Sequence, residues 1–65
     1  MKLQLNGAPI EVCDTMLAQV LLAQGFGGAK VATAVNGVFV PVSQRADHAL
    51  AEGDSIEVLA PMQGG

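Results

Sequence analysis

The segment Ile-Glu-Val-Leu-Ala at residues 56–60 is the strand on which the topology depends. Its apolar run is interrupted only by Glu57, a pattern that fits a strand in the middle of a sheet. Ile56 and Val58 are in phase, so their side chains point to one face, whereas Leu59 points to the other. We therefore predict a central final strand that lies parallel to the N-terminal strand, with Leu59 exposed.

The N-terminal residues predict a hairpin. Residues 1–5 alternate between apolar and polar side chains, and Asn6-Gly7 is a pair that readily adopts positive φ in a tight turn. Residues 8–12 form the return strand. Because Pro9 has no backbone N–H to donate, we expect this strand at an edge of the sheet.

A second Asn-Gly pair predicts a second hairpin. Residues 31–35 are rich in β-forming side chains, and Asn36-Gly37 separates them from residues 38–40. Pro41 ends the return strand. The strand is too short for its phase to show whether Phe39 points outward.

A helix is predicted between the hairpins, over residues 16–24. Asp14 and Thr15 are candidate N-caps, and Gly25 is placed to end the helix. Leu22 falls on the far side of the helix, where we expect an ordinary exposed leucine. The face expected to pack on the sheet consists of Met16, Leu17, Val20 and Leu21.

These elements predict an α+β fold of the β-grasp (ubiquitin-like) type, a mixed sheet of four to five strands that clasps one helix. Residues 43–50 read as a surface segment anchored by Leu50, and residues 52–54 as a turn. We expect a single β-grasp domain at residues 1–60. Residues 61–65, Pro-Met-Gln-Gly-Gly, are expected to form an extended, flexible C-terminal tail.

Composition excludes several classes of protein. The chain has 65 residues, enough for one domain, and 51% of them are apolar, enough for one core. Three basic residues against six acidic ones give no footprint for nucleic acid. We expect no membrane span, no signal peptide, a cytoplasmic location and a monomer when the protein is free.

The search for an enzyme active site leaves few candidates. Cys13 is the single cysteine, so we expect no disulfide and no cysteine-built metal site, and neighbouring acids disfavour a reactive thiolate. His48 is interpreted as a solvated surface histidine. Gly27-Gly28 lacks the rest of a nucleotide-binding motif. We therefore expect no catalytic residue, no bound cofactor and no metal in the domain itself.

The remaining candidate is the carboxylate of Gly65, approached through Gly64. A carboxylate with a pKa near about 3.5 is ionised at neutral pH and resists nucleophiles, so it must first be activated. A mixed anhydride with AMP, formed in the ATP site of another protein, is the simplest route. Glycine allows the backbone to pass through a channel too narrow for side chains. The folded domain then serves as a handle for the partner.

The chain resembles the thiamine-pathway sulfur carriers of the ThiS family over essentially its whole length. The residues that carry the resemblance are the Asn6-Gly7 turn, residues 31–37 (Val-Ala-Thr-Ala-Val-Asn-Gly), Val40-Pro41, Ser43-Gln44, residues 50–54 (Leu-Ala-Glu-Gly-Asp), residues 56–59 and Gly64-Gly65. Two positions depart from the family pattern, which often has a basic residue at position 42 and an aromatic residue at position 45. Here they hold Val42 and Arg45. The departure bears on partner specificity.

The resemblance implies a cycle of reactions at Gly65. A ThiF-like adenylyltransferase uses ATP and Mg²⁺ to adenylate Gly65, and sulfur from a donor such as a cysteine desulfurase converts the terminus to a thiocarboxylate. Thiazole synthase, a ThiG-like enzyme, then takes the sulfur into the thiazole ring. We expect partners to contact the sheet face away from the helix, through Leu59, Met62 and Phe39.

Three alternatives remain open. The small subunit of molybdopterin synthase shares the fold and the tail, although it is usually longer. A ubiquitin-like protein modifier would be attached to lysines of its targets through Gly65. A plain β-grasp interaction domain would have an incidental Gly-Gly end, and only this alternative predicts that loss of Gly65 leaves function intact.

Overall fold

The computed structural model describes residues 1–27 and 30–60. Within these ranges five strands form one sheet, on which one α-helix packs. The elements are β1 (Lys2–Leu5), β2 (Ala8–Glu11), α1 (Leu17–Ala23), β3 (Ala32–Val35), β4 (Val38–Val40), a 3₁₀ helix (Val42–Asp47) and β5 (Ser55–Leu59). The predicted tail, with Met62, Gly64 and Gly65, lies outside the described residues, as does Gly28.

The sheet has the strand order β2-β1-β5-β3-β4, which places β5 at its centre. β5 runs parallel to β1 and antiparallel to β3, with Leu5 opposite Ile56 and Ala32 opposite Leu59. β2 lies at one edge, where the missing N–H of Pro9 does not interrupt an interior ladder. The predicted β-grasp topology, the central last strand and the edge position of β2 are all confirmed.

Both Asn-Gly pairs form tight turns with two consecutive residues at positive φ. The φ angles are 51° and 83° at Asn6 and Gly7, and 52° and 83° at Asn36 and Gly37. Positive φ at both central residues matches the twist of the flanking strands, which is why Asn-Gly favours two-residue hairpins. The two predicted hairpins are confirmed.

Helix α1 has seven residues, too few for a helix that is stable in water on its own. It is stabilised by packing, because Leu17, Val20 and Leu21 are buried against the sheet. Full burial of an aliphatic side chain contributes about 1.5–3 kcal/mol, more than helix propensity supplies at any single position. Leu22 is exposed on the other side, as predicted.

The predicted N-cap of α1 is wrong. The cap residue is Met16, and no side chain bonds to the first turn, so neither Asp14 nor Thr15 acts as a cap. Instead the Leu17 N–H donates to the carbonyl of His48 at 2.9 Å. A backbone acceptor distant in sequence thus satisfies one of the free N–H groups of the first turn, so a local pattern could not reveal it.

The C-terminal end of α1 agrees with prediction. Gly25 has φ 94°, and its N–H donates to Leu22 O at 3.1 Å. The Phe26 N–H donates to Leu21 O at 2.8 Å, which completes a Schellman motif. Phe26 is partly buried against the core, so the motif closes the helix and directs the chain back over it.

The segment after β4 lies on the surface, as expected, and contains a 3₁₀ helix that the sequence did not predict. Val42–Asp47 form a 3₁₀ helix that contacts α1. The chain then runs to Leu50, which is buried as predicted. The Leu50 N–H donates to the Thr15 carbonyl at 2.7 Å, so this segment is bonded to the chain just before α1.

Candidate functional site

The C-terminal end of β5 is held from both sides. On the β3 side, antiparallel pairing continues to Leu59, opposite Ala32. On the β1 side, the backbone pairing ends earlier and the side chain of Asn6 takes over. Its Nδ2 donates to Val58 O at 3.2 Å, and Val58 N–H donates to its Oδ1 at 2.8 Å. The C-terminal end of β5 is therefore fixed relative to the whole sheet.

Asn36 makes a related contact at the other end of β5. Its Oδ1 accepts from Ser55 N–H at 3.0 Å, and its Nδ2 donates to the Asp54 carboxylate at 3.0 Å. Sequence reasoning assigned both asparagines to turns only. The residue type was a usable signal, because an amide side chain carries a donor and an acceptor and can replace a peptide group in a ladder.

The sheet face away from α1 carries two large exposed apolar side chains. Leu59 is 70% exposed and Phe39 is 64% exposed. Phe39 lies opposite Ala34 in the β3–β4 pair, and it lines the same shallow groove as Leu59. The predicted exposure of Leu59 is confirmed, and the structure settles that Phe39 points outward. We call this surface the open face, defined by Ala34, Phe39, Glu57 and Leu59.

A second, larger groove lies at the end of β5 and was missed by sequence reasoning. It has a volume of about 590 Å³ and is lined, among others, by Lys30, Val31, Val42, Arg45, Leu59 and Ala60. We call it the exit groove. Its residues come from three separate stretches of the chain, so no local motif could have predicted it.

Arg45 forms one wall of the exit groove and is bonded to the body of the domain. Its Nε donates to Thr33 Oγ1 at 3.0 Å, and its Nη2 donates to the Val31 carbonyl. Thr33 is buried and donates its hydroxyl proton to Val40 O at 3.0 Å. The guanidinium therefore joins the 3₁₀ helix to β3. This contact gives Arg45 a structural role at one of the two positions that depart from the family pattern.

The structure also describes the surroundings of Cys13 and His48, the two residues considered for an active site. Cys13 is exposed, and no other cysteine is present for it to pair with. His48, interpreted as a solvated surface histidine, is half-buried, and its carbonyl accepts from the Leu17 N–H at the start of α1. The Ala51 N–H and the Asn36 amide, helped by the nearby His48, lower the pKa of the Asp54 carboxyl.

Residues 1–27 and 30–60 contain no cluster of three or more His, Cys, Asp or Glu side chains placed to hold a metal ion. None of the helices in the described part of the chain is long and apolar enough to cross a membrane.

A mixed five-stranded sheet in this order, clasping one helix, defines a β-grasp protein of the ubiquitin-like class. The family model described as the ThiS family matches residues 3–65. The chain therefore belongs to the ThiS family.

A solved structure supports the same assignment. The crystal structure of a thiamine biosynthesis protein (ThiS) from Geobacter metallireducens superposes with a TM-score of 0.85. It is 28% identical in sequence, and the alignment covers 100% of each chain. A search of curated proteins finds no match.

Proposed function

We propose that the chain is a sulfur carrier of thiamine biosynthesis whose working group is the carboxylate of Gly65. The observation that carries this proposal is the extent of the family match, which runs from residue 3 through Gly65 and so includes the Gly-Gly end. The full-length likeness to a thiamine biosynthesis protein supports it. The domain acts as a carrier and co-substrate rather than as an enzyme.

The proposed chemistry begins with activation of the carboxylate. A carboxylate oxygen of Gly65 attacks the α-phosphorus of ATP, pyrophosphate leaves, and an acyl adenylate forms. Mg²⁺ and the ATP site belong to a ThiF-like adenylyltransferase. The outer sulfur of a persulfide on a donor such as a cysteine desulfurase then displaces AMP from the acyl carbon and gives an acyl disulfide. A thiol attacks the donor sulfur of this S–S bond, forms a disulfide with it, and releases the thiocarboxylate on Gly65.

The thiocarboxylate then delivers its sulfur to a ThiG-like thiazole synthase. Sulfur is a softer nucleophile than oxygen, and water restores the carboxylate of Gly65 after transfer. The reactions require ATP and freely diffusing partners, which fits a cytoplasmic cycle.

The open face is the proposed docking surface for these partners. Leu59 and Phe39 are exposed and line one groove, and Leu59 is the last residue of β5 before the chain leaves the sheet. Exposed apolar side chains grouped in this way mark protein contacts more often than isolated ones do. Met62 belongs to the same proposal as a contact on the tail.

The direct test is the intact mass of the protein after incubation with an adenylyltransferase of the ThiF type, ATP, Mg²⁺ and a sulfur source. Exchange of one terminal oxygen for sulfur adds about 16 Da, whereas a persulfide on Cys13 would add about 32 Da. The Cys13→Ser variant should gain the smaller increment unchanged, and a chain lacking Gly65 should gain neither. A gain that persists without Gly65 would refute the proposal.

A further inference from the structure

The shallow groove on the open face is the size of one side chain. Its volume is about 120 Å³, well below the about 300–1,000 Å³ of pockets that bind small molecules. Ala32 and Ala34 form its floor, because β3 lies between β4 and β5 and both alanines share the face away from α1. We call it the alanine groove, and its other lining residues are Thr33, Phe39, Glu57 and Leu59.

The walls of the alanine groove differ in chemistry. Phe39 and Glu57 both lie directly opposite Ala34, one on each side of β3. Neighbouring strands are about 4.8 Å apart, so an aromatic ring and a carboxylate rise from backbones about 10 Å apart. Leu59 lies on the same face of β5 as Glu57 and extends that wall. A side chain that enters the groove therefore contacts apolar carbon along most of its length and one negative charge.

Glu57 has no counter-charge in the alanine groove. Its side chain is exposed, and it is the one charged residue among the described residues that line the groove. The flanking residues of β5, Ile56 and Val58, are apolar and buried on the other face. In the free protein the carboxylate is therefore solvated by water.

Docking on the open face changes the surroundings of this carboxylate. A partner protein that covers Leu59 and Phe39 also removes water from Glu57, which lines the same groove. An ionised carboxylate that is buried without a partner is strongly unfavourable. The covering surface must therefore supply a cation at this point.

The groove is best matched by the side chain of arginine. Its apolar stem can lie along Ala32 and Ala34 while its guanidinium donates two parallel hydrogen bonds to Glu57. The planar guanidinium also stacks on an aromatic ring such as that of Phe39, within about 6 Å of the ring centroid. Lysine has a compact, strongly hydrated charge and lacks this planar fork.

We propose that the alanine groove receives an arginine side chain of the adenylyltransferase, which is selected by Glu57. This contact rests on the proposed function, because the adenylyltransferase must dock on the open face to form it. Glu57 is then a specificity determinant of docking and takes no part in the chemistry at Gly65. A partner surface that is apolar at this point is disfavoured, because it leaves the carboxylate buried and unpaired.

The test is the steady-state kinetics of adenylation by an adenylyltransferase of the ThiF type with ATP and Mg²⁺. Glu57→Gln and Glu57→Leu should both raise the KM for the carrier at least about tenfold and leave kcat unchanged, because each removes one partner of a buried ion pair. An unchanged KM for Glu57→Gln would overturn the proposal. A lower KM for Glu57→Leu would also overturn it, because it would show an apolar partner group in the groove.

Glu11→Gln is the matched control for net charge. Glu11 is also an exposed glutamate on a strand, but it lies outside the alanine groove. This variant loses the same charge, so its KM should equal that of the wild type. An equal rise in KM for Glu11→Gln and Glu57→Gln would mean that net charge alone acts, and would refute the contact.

Charge reversal tests the ion pair itself. Glu57→Arg should abolish docking, and one arginine-to-glutamate variant of the adenylyltransferase surface should restore it. A complete scan of surface arginines with no recovery would contradict the contact. Urea denaturation should give equal midpoints for wild type and Glu57→Arg, since the side chain is exposed.

Intact mass separates failure of this contact from failure of the proposed function. At saturating adenylyltransferase, Glu57→Gln should still gain the mass of the thiocarboxylate. A wild-type chain that never gains this mass refutes the sulfur carrier. A wild-type chain that gains it, while Glu57→Gln docks equally tightly, refutes only the arginine contact.

Discussion

The side-chain amide of Asn6 forms two hydrogen bonds with the backbone of Val58, donating at 3.2 Å and accepting at 2.8 Å. The Asn6 N–H also donates to Ile56 O at 2.8 Å, so the side chain continues the parallel ladder where the main chain of β1 turns away. One turn residue, Asn6, thereby supplies the last hydrogen bonds between the β1 side of the sheet and β5.

Asn6→Gly should destabilise the domain while preserving the turn, because glycine adopts positive φ without strain but lacks the amide. Two lost side-chain hydrogen bonds at about 0.5–1.5 kcal/mol each predict a decrease of about 1–3 kcal/mol in the free energy of unfolding. Urea denaturation measures this. Hydrogen exchange should accelerate at the Val58 amide.

The matched variant is Asn36→Gly, which has the same backbone requirement. This substitution removes the acceptor of the Ser55 N–H, so hydrogen exchange should accelerate at the Ser55 amide. The Val58 amide should stay protected. If both variants accelerate exchange uniformly, the asparagines contribute only to the turns and not to the ends of β5.

Leu59→Asp should weaken docking to the adenylyltransferase without unfolding the domain, because the side chain is exposed on the open face. An at least tenfold lower kcat/KM in an ATP–pyrophosphate exchange assay, about 1.4 kcal/mol, is expected. Val38→Asp is the control, since Val38 is similarly exposed but outside both grooves described above. Normal adenylation of Leu59→Asp, or loss of its circular dichroism signal, would contradict this assignment of the face.

Arg45→Met should destabilise the fold by about 1.5–3 kcal/mol, the usual contribution of hydrogen bonds to a charged group. It retains much of the apolar stem but removes the bonds to Thr33 and the Val31 carbonyl. Arg45→Lys should recover only part of the loss, because an ammonium group cannot reproduce the planar fork. Equal unfolding midpoints for all three proteins would mean that the guanidinium contributes nothing to stability.

Acid should destabilise the protein partly through Asp54. The Ala51 N–H and the Asn36 amide hold the pKa of this carboxyl below its usual value, so the folded state binds its proton less readily than the unfolded state. The corresponding stability is present above the ordinary aspartate pKa of about 3.9 and is lost as pH falls through the lower folded-state pKa. Thermal melts of the wild type and Asp54→Asn should therefore converge at low pH. A difference in Tm between the two proteins that stays constant from neutral to acid pH would contradict this role of Asp54.

Local signals in the sequence were sufficient for the five strands, α1 and their order, but not for the 3₁₀ helix. Asn-Gly pairs specify tight turns, Pro9 restricts β2 to an edge, and Gly25 supplies the positive φ that ends α1. Alternation along β5 correctly separated Leu59 from Val58. Each of these inferences depends on a conformational preference of one or two residues.

Contacts between distant segments could not be read in the same way. The helix N-terminus is satisfied by the carbonyl of His48, and Arg45 reaches back to Thr33, because the folded chain happens to bring those groups together. The exit groove exists only once β3, β5 and the 3₁₀ helix are assembled. The roles of Gly65, Gly64 and Met62 depend on partners and stay predictions.

The central position of β5 has a mechanical consequence. A partner that draws on residues 61–65 pulls along the strand axis, and the load falls on the hydrogen bonds to β1 and β3 at the same time. Those bonds are perpendicular to the pull and share it in shear, whereas an edge strand could be peeled away one bond at a time. The two hydrogen bonds between the Asn6 side chain and Val58 add resistance at the end of β5 where the force acts. The domain can therefore be pulled through residues 61–65 without unfolding.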